Sequence, residues 1–571
     1  MRTMKSIIKR QAARLAALLV LAALLCAGLQ AAVAAEEQTL TMSIGQMKYE
    51  NATDPTISRN LKPGVGDVQD YHYFTHQSDL IEFDGNGNII PWMAESYEVS
   101  NDYKTVTFHL RKGIKFADGT PLNASVLKFN FDRIYTYGLI DFCGKNGSNK
   151  PICVNYDYSE ASDEYTFKIH LTRGWPDLAR EIAISGAGGR LISPSDVVPA
   201  WDIQGTLKPD KMYNGLGPYY VDENESIPMQ KIVLKRRHNW RDDYDFHRPK
   251  LDKIVLTLIA DTNTAVMALE KGEIDLICRY WNAPLDALPK LEENPDISIK
   301  KGPETNMYYI WTAYWKEPFS GNDGMLFRKA ICYALNRTEM AKGAFNGYAA
   351  PATDSIFLSP RRSDAPKCCG KGYDYDLDKA KQLLAEAGWN DSDHDGILDK
   401  NGKALKDLDL VISSASYLGW QKDIALLVQS QLKKIGINVK IRTVESSVYS
   451  ELQKTRGDFD MIMGYQAGNS WSSAQELTNA FNRKGYFLNR YINENGTLEA
   501  IAENAKMAVS EEERDKYICQ AINILYEEAG MIPLVYQMQY AVMSSKVKGF
   551  ELGPSYSSYS KDHFEECWIE E

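Results

Sequence analysis

Alternating and helical patterns of apolar side chains predict both strands and helices along the chain. The run from Thr105 to Leu110 alternates between two faces and stops at a charged Arg-Lys-Gly sequence, as a half-buried strand does. Two later helical patterns each stop at a glycine and are followed by a strand pattern; the helices are predicted at 378–387 and 421–435, and the strands at 408–412 and 437–444. This alternation predicts the α/β fold class.

The length of the chain predicts more than one folding unit. With 571 residues it exceeds a typical domain of roughly 100–200 residues. No repeat with a period of 20–50 residues is visible, so a solenoid or a propeller is not expected. No Gly-, Ser- or Pro-rich linker divides the chain either. If the chain forms two lobes with no linker between them, we expect it to cross from one lobe to the other more than once.

Composition and charge narrow the class of partner. Hydrophobic residues make up 44% of the chain and charged residues 25%, which is typical of a globular protein. The formal net charge is −11, and the first 34 residues contain five basic and no acidic side chains, so the remainder carries −16. Such a surface repels phosphate backbones and anionic lipids. We therefore expect a small-molecule partner and no nucleic acid.

The N-terminus has the pattern of a secretory signal peptide. Basic residues up to Arg14 precede an uncharged stretch from Leu15 to Leu29, and Ala32-Val33-Ala34 has the form of a cleavage site. The alternative is an uncleaved membrane anchor, but fifteen uncharged residues fall short of the roughly 20 that cross a bilayer. We expect residues 1–34 to be removed and the mature protein to be soluble in an oxidising periplasm.

Eight cysteines follow the predicted signal peptide. In an oxidising compartment, Cys143 and Cys153 are predicted to form a disulfide that closes the loop between them. Zinc is the alternative, but the sequence has no CxxC pair or Cys/His cluster of zinc-finger spacing. Cys332, inside a helical run predicted at Arg328–Arg337, is expected to be a buried core residue. The other pairings stay open.

An acidic turn resembles a calcium-binding loop in its spacing. Asp391, Asp393 and Asp395 alternate before Gly396, and Asp399 follows. Position twelve of the loop is a glycine instead of the usual bidentate glutamate. The sequence leaves two alternatives open: a structural calcium ion held by these four aspartates, or a solvated acidic turn. No cofactor is otherwise required.

Several segments together resemble a known family. The stretches at 91–97 and 107–124 resemble the signature region of family 5 of the periplasmic solute-binding proteins, the peptide/opine/nickel family. Further similar stretches lie at 215–219, 239–240, 249–254, 268–276, 328–337, 385–389 and 532–534. The resemblance covers nearly the whole chain after the signal peptide.

The resemblance implies a bilobal α/β fold with an extra N-terminal subdomain and a ligand cleft between the lobes. Lobe I is expected at 35–278 plus 532–571, and lobe II at 279–531. The implied function is that of a non-enzymatic, monomeric substrate-binding component of an ABC importer, which delivers its solute to a membrane permease. Because the chain has no Walker loop, ATP hydrolysis must belong to a partner ATPase.

The resemblance also implies ligand-binding residues. Arg190 is placed where nickel-binding members carry an arginine that contacts the carboxylate of a chelator, and Tyr449 where they carry a pocket tyrosine. The stretch at 460–473 is expected to line the cleft through Tyr465, Gln466 and Trp471.

Two departures from the family pattern change the ligand that we expect the protein to bind. The stretch at 460–473 has no carboxylate after its first residue, whereas peptide binders use an aspartate there to hold the amino terminus. No histidine at 475–490 matches the one that contacts nickel, so nickel itself is not favoured. We expect a small ligand that is anionic at one end and apolar or planar at the other. The runner-up is an oligopeptide or dipeptide whose amino group is held by Asp70.

Two other function classes are alternatives to solute binding. A secreted hydrolase is one, but the sequence has no GxSxG or HExxH motif. A sensor or chaperone module on the same fold is the other, and sequence alone does not separate it from transport.

Overall fold

A computed structural model gives the fold of the protein. It describes residues 37–45, 74, 79–84, 88–133, 155–185, 191–204, 206–208, 214–237, 249–277, 282–361, 364–366, 371–415, 420–454, 457–466, 472–481, 496–553, 564 and 566–570. In these ranges the strands are β1 (Thr39–Ile44), β2 (Ile81–Phe83), β3 (Ile89–Pro91), β4 (Ala94–Val99), β5 (Thr105–Leu110), β6 (Tyr156–Ala161), β7 (Thr166–Leu171), β8 (Val197–Val198), β9 (Thr206–Leu207), β10 (Tyr219–Val221), β11 (Lys231–Arg236), β12 (Lys253–Leu258), β13 (Ile297–Thr312), β14 (Ala349–Pro351), β15 (Asp399–Lys400), β16 (Lys403–Ala404), β17 (Leu408–Ser413), β18 (Val439–Val444), β19 (Met461–Gln466), β20 (Ile532–Ser544), β21 (Val547–Lys548) and β22 (Trp568–Ile569). The helices are α1 (Ala124–Phe131), α2 (Leu178–Ser185), α3 (Thr262–Glu270), α4 (Leu288–Glu292), α5 (Gly321–Ala334), α6 (Arg337–Phe345), α7 (Leu377–Glu386), α8 (Trp420–Lys433), α9 (Ser446–Leu452), α10 (Ser473–Phe481), α11 (Thr497–Lys506) and α12 (Glu511–Glu527).

The first core is built on a four-stranded sheet with the order β1-β12-β11-β10. Strand β1 is parallel to β12, and the other neighbours are antiparallel. Leu40 and Leu256 are buried in this core together with Ala541 from the distant strand β20. We call the part built on this sheet lobe I.

A second four-stranded sheet, with the order β4-β5-β7-β6, forms a subdomain of its own. The alternation of β5 buries Val106, Phe108 and Leu110 on one face. Helix α1 covers that face, where Phe131 packs against Phe167 with ring centroids 4.9 Å apart. Because the apolar residues of this sheet and of α1 form a separate core, we call this unit the N-terminal subdomain.

The largest core surrounds a six-stranded sheet with the order β14-β20-β13-β19-β17-β18. Strand β17 is parallel to both of its neighbours, whereas the remaining pairs are antiparallel. Apolar residues of α5 to α8 and of α10 to α12 pack in the same core. We call this part lobe II.

Two long strands, β13 and β20, connect the lobes. At one end of the antiparallel pair, Ile297 lies opposite Ser544 and packs beside helices α3 and α4; at the other end Ile310 lies opposite Ile532 in the lobe II core. The register shifts between Lys301 and Glu304, and again before Asn306. The chain therefore crosses between the lobes in both strands, as expected. The crossing falls inside β13 and β20. The lobe boundaries predicted at 278/279 and 531/532 stay a prediction.

Most elements predicted from the sequence agree with the structure within one or two residues. The strand at Thr105–Leu110 is confirmed as β5, and the strands at 408–412 and 437–444 correspond to β17 and β18. Helices α7 and α8 end before Gly388 and Gly436, whose φ angles of 81° and 79° lie in the left-handed region that favours glycine. Local periodicity and glycine were therefore sufficient to predict these ends.

One helix prediction was wrong. The continuous run predicted at Arg328–Arg337 is divided, because α5 ends at Ala334 and α6 begins at Arg337. Asn336 causes the break: its side chain accepts a hydrogen bond from the backbone N–H of Glu339, at 3.1 Å, and caps the second helix.

The structure tests only some of the predictions about the cysteines and about a membrane-spanning segment. Cys332 is confirmed as a buried core residue with a free thiol, and Cys567 is buried as well. Cys519, on α12, is disulfide-bonded. Cys143 and Cys153 lie outside the described residues, as does the predicted signal peptide, so both predictions stand untested. Among the helices of the described ranges, none is long and apolar enough to span a membrane.

Candidate ligand cleft

The carboxyl ends of three parallel strands meet at one edge of the lobe II sheet. Strands β17, β18 and β19 end there at Ser413, Val444 and Gln466. In α/β sheets ligands bind in the crevice outside such carboxyl ends, where the following helices begin. We call this part of lobe II the carboxyl edge.

Four aromatic side chains gather along the carboxyl edge. Tyr308 of β13 stacks on Trp420, the first residue of α8, with ring centroids 3.7 Å apart. Phe345 stacks on the same tyrosine at 5.4 Å, and Tyr465 meets it edge-on at 6.3 Å. Tyr308 is buried, but Tyr465 keeps 37% of its surface exposed. This aromatic cluster therefore presents a ring face at the edge where a ligand is expected.

Hydrogen bonds hold the aromatic cluster in position. The Tyr308 hydroxyl donates to the side-chain carbonyl of Gln537 on β20, and the Asn306 amide donates to the same oxygen at 3.3 Å. The hydroxyl of Tyr309 donates to the carbonyl of Tyr465 at 3.3 Å, and burial raises the pKa of Tyr309. Gly464 permits this packing, since a Cβ there would lie 2.5 Å from the ring of Tyr309.

The structure places the predicted ligand residue Tyr449 beneath the carboxyl edge. The side chain is only 5% exposed. Its hydroxyl donates to the carbonyl of Met463 on β19 and accepts a hydrogen bond of 3.0 Å from the Gln421 amide. Gln421 in turn accepts a hydrogen bond of 2.7 Å from the backbone N–H of Ser413. Tyr449 therefore joins the ends of β17 and β19, and direct contact with a ligand stays a prediction.

Several predicted ligand residues lie outside the described residues. These are Arg190, Trp471 and Asp70, and the side chain of Gln466 is likewise not described. Of the predicted set, the structure brings Tyr465 to the carboxyl edge and Tyr449 directly behind it. The sequence analysis did not identify Trp420 as a site residue. The pattern that could have identified it is a tryptophan immediately before a predicted helix that follows a strand.

The structure describes the acidic turn for which the sequence leaves open a calcium ion or a solvated turn. Carboxylate oxygens of Asp391, Asp393 and Asp395 lie within 4.8 Å of one another at the surface. The backbone N–H of Gly396 donates to Asp391 at 3.2 Å, and its φ of 88° gives the sharp turn. Asp399 instead accepts hydrogen bonds from the N–H and hydroxyl of Ser392, and these lower its pKa. Three of the four aspartates are thus gathered.

Comparison with known proteins relates this chain to a family. The family described as bacterial extracellular solute-binding proteins, family 5 Middle, matches residues 88–487. The oligopeptide-binding protein AppA of Bacillus subtilis is 26% identical over 540 residues and 92% of each chain. The glutathione-binding protein GsiB of Escherichia coli K12 is 28% identical over 469 residues, covering 81% of this chain and 83% of its own.

The similarity extends to solved structures. The crystal structure of NikA from Brucella suis, in complex with Fe(III)-EDTA, shares the fold with a TM-score of 0.74 at 23% identity. The match covers 93% of this chain and all of that one. The bilobal α/β fold expected from the sequence is therefore confirmed. Because the family match spans most of its length, the chain belongs to family 5 of the bacterial extracellular solute-binding proteins.

Proposed function

We propose that the protein is the substrate-binding component of an ABC importer and captures a small solute against the carboxyl edge of lobe II. In this role it is a periplasmic, non-catalytic monomer that hands its ligand to a membrane permease driven by a separate ATPase. The family and the binding proteins among its relatives support this role.

The observation that carries the proposal is the aromatic cluster. Tyr308, Phe345 and Trp420 form a stacked base, and the exposed ring of Tyr465 stands beside them. An aromatic face at a cleft binds planar or apolar groups by stacking and by exclusion of water. Such a surface favours a ligand with a flat or apolar body.

We propose that the ligand also carries a carboxylate. The relatives bind oligopeptides and glutathione, and NikA was solved with Fe(III)-EDTA, so carboxylate groups are common to these ligands. Arg190 is the proposed partner, because a guanidinium pairs with a carboxylate through two parallel hydrogen bonds. A metal chelate fits this chemistry better than a bare nickel ion. Oligopeptides anchored by Asp70 remain the second candidate.

Calorimetric titration of two tyrosine variants tests the aromatic surface. Wild-type protein, Tyr465→Ala and Tyr375→Ala are titrated with di- and tripeptides, glutathione, small carboxylates and a nickel–histidine chelate. Tyr375 is a matched control, since it is 41% exposed and precedes α7, which packs against α5. Loss of a stacking ring worth about 0.5–1.5 kcal/mol should weaken binding of the preferred ligand about two- to twelvefold in Tyr465→Ala, but not in Tyr375→Ala.

Two outcomes of the titration count against the proposal. If Tyr375→Ala weakens binding as much as Tyr465→Ala does, the ligand does not lie on the aromatic cluster. If wild-type protein binds none of these carboxylate compounds, the proposed ligand class is wrong.

We also propose that the acidic turn holds a structural calcium ion through Asp391, Asp393 and Asp395. Calcium binds oxygen ligands, and a bound ion stabilises the folded state by mass action. A chelator is expected to lower the melting temperature by about 2–5 °C. Asp393→Ala should abolish this sensitivity, while the control Glu273→Ala, which alters another surface carboxylate, should retain it. Equal melting temperatures of wild-type protein with and without chelator would remove the ion from the proposal.

A further inference from the structure

A buried aspartate of the N-terminal subdomain reaches across to lobe II. Asp177 directly precedes α2, between Trp175 and Leu178, which are both buried in the subdomain core. The side chain of Asp177 is itself only 3% exposed. One carboxylate oxygen lies 2.6 Å from Nη1 of Arg514, and the other accepts a hydrogen bond from the Ser472 hydroxyl. Both oxygens are thus engaged by lobe II.

The two partners of Asp177 are firmly part of lobe II. Arg514 lies on α12 and Ser472 immediately before α10, and apolar residues of both helices are buried in the lobe II core. The Ser472 hydroxyl also accepts a hydrogen bond of 3.2 Å from the N–H of Gln475, and Asp364 accepts one from the N–H of Ser473. The receiving surface is therefore positioned by contacts within its own lobe.

The loop that carries Asp177 is equally well supported on its side. The N–H of Trp175 donates to the carbonyl of Tyr103 at 2.9 Å. A Cβ on Gly174 would lie 2.2 Å from the carbonyl oxygen of Asp102, so only glycine allows this close approach. A rigid loop presents its carboxylate without a large loss of side-chain freedom on contact.

The subdomain is joined to lobe I, so it moves with that lobe. Arg237, which follows β11 of lobe I, donates to the carbonyl of Phe116 in the subdomain at 2.9 Å and to that of Gly217, next to the subdomain core residue Leu216, at 2.9 Å. The backbone N–H of Ala117 adds a bond of 3.0 Å to the carbonyl of Gly215. Opening of the cleft about β13 and β20 must therefore separate Asp177 from Arg514.

The crossing strands are themselves tied to the segment that precedes Asp364. Arg361 donates through Nε and Nη2 to the two carboxylate oxygens of Glu304, at 2.6 and 2.8 Å. Glu304 lies where the register of β13 shifts between the lobes, and its side chain is only 9% exposed. Asp364 is three residues farther along and holds the start of α10. Arg361, which is bonded to the crossing strand β13, and Asp364, which is bonded to the start of α10, thus lie only three residues apart.

We infer that Asp177 and Arg514 form a latch that holds the lobes closed and so sets the affinity for the solute. This inference rests on the proposed function only in linking closure to solute capture. In the closed form each charge is satisfied by the other, and the second carboxylate, Asp515, accepts from Arg514 at 2.8 Å. Burial alone disfavours the charged guanidinium, but Asp177 and Asp515 outweigh it and raise the pKa of Arg514. When the lobes separate, water hydrates both groups.

Removal of one partner should open the lobes: without Arg514, Asp177 would be buried with no counterion, and without Asp177, Arg514 would keep only the partly exposed Asp515. Asp177→Asn and Arg514→Met are each expected to reduce the closed population about ten- to hundredfold. The double variant removes both buried charges of the pair and should recover part of the closed population. Ser472→Ala removes one hydrogen bond and should have a smaller effect.

Small-angle X-ray scattering of the ligand-free protein measures closure directly. The wild type should have the compact radius of gyration of the closed structure, and the two single variants a larger one. Arg442→Met is the matched control, since Arg442 pairs with Asp409 at 2.6 Å within lobe II. Circular dichroism verifies that each variant is folded.

A radius of gyration that is equal in wild type, Asp177→Asn and Arg514→Met would overturn the latch, as would an equal increase in Arg442→Met. Because no ligand is added, this result is independent of the titrations that test the proposed function. If the single variants open the lobes but the wild type binds none of the carboxylate compounds, the latch stands and the proposed ligand class is wrong.

Discussion

Replacing Arg337 with methionine is expected to lower the free energy of unfolding by about 2–4 kcal/mol. Arg337 is only 1% exposed and donates to carbonyl oxygens of Pro533, Cys332 and Tyr373 at 2.7, 3.0 and 3.1 Å. Burial lowers the pKa of this guanidinium. Methionine fills a similar volume but donates no hydrogen bond, so these buried carbonyls lose their partner. Urea denaturation followed by circular dichroism measures the loss.

Arg442→Met is the control for this variant. Arg442 donates to Asp409 but is 35% exposed, so water replaces its contacts and the loss should stay below about 1 kcal/mol. Equal losses in the two variants would contradict the idea that Arg337 organises the junction of α5, α6 and β20.

Replacing Phe167 with alanine is expected to destabilise the N-terminal subdomain by about 3–5 kcal/mol. Its ring is fully buried and packs against Phe131 at 4.9 Å and Phe108 at 6.5 Å. Alanine would leave a cavity between β7 and α1. Thermal unfolding by calorimetry should show the change.

Phe167→Leu serves as the matched control, since it removes less volume and should cost less than half as much. Because the subdomain has its own core, its transition should fall while the lobe II transition stays in place. A shift of all transitions together would show that the cores unfold as one unit.

The local pattern of the sequence predicted the elements better than their assembly. The strand at Thr105–Leu110 and the glycines after α7 and α8 depend on neighbouring residues alone, and these predictions hold. The division of the helical run at Asn336 was missed, because a cap of this kind competes with a strongly helical sequence on either side. Family resemblance, carried by motifs spread along the chain, supplied the bilobal fold.

The site was only partly predictable, because it is assembled by sheet order. Tyr308 and Tyr465 become neighbours because β13 pairs with β19, and Trp420 joins them from the start of α8. The predicted pocket residue Tyr449 proved to join two strand ends, a role that requires knowledge of its hydroxyl partners. The pair Asp177 and Arg514 is separated by 337 residues, and no local pattern connects them.

The crystal structure of the protein with the solute that co-purifies from its native host tests the central claim most directly. Purification without unfolding keeps a tightly held ligand in place. We predict density for a small, carboxylate-bearing molecule at the carboxyl edge, with a planar or apolar part against the ring of Tyr465. A ligand that lies away from Tyr308, Trp420 and Tyr465 would contradict the proposed site.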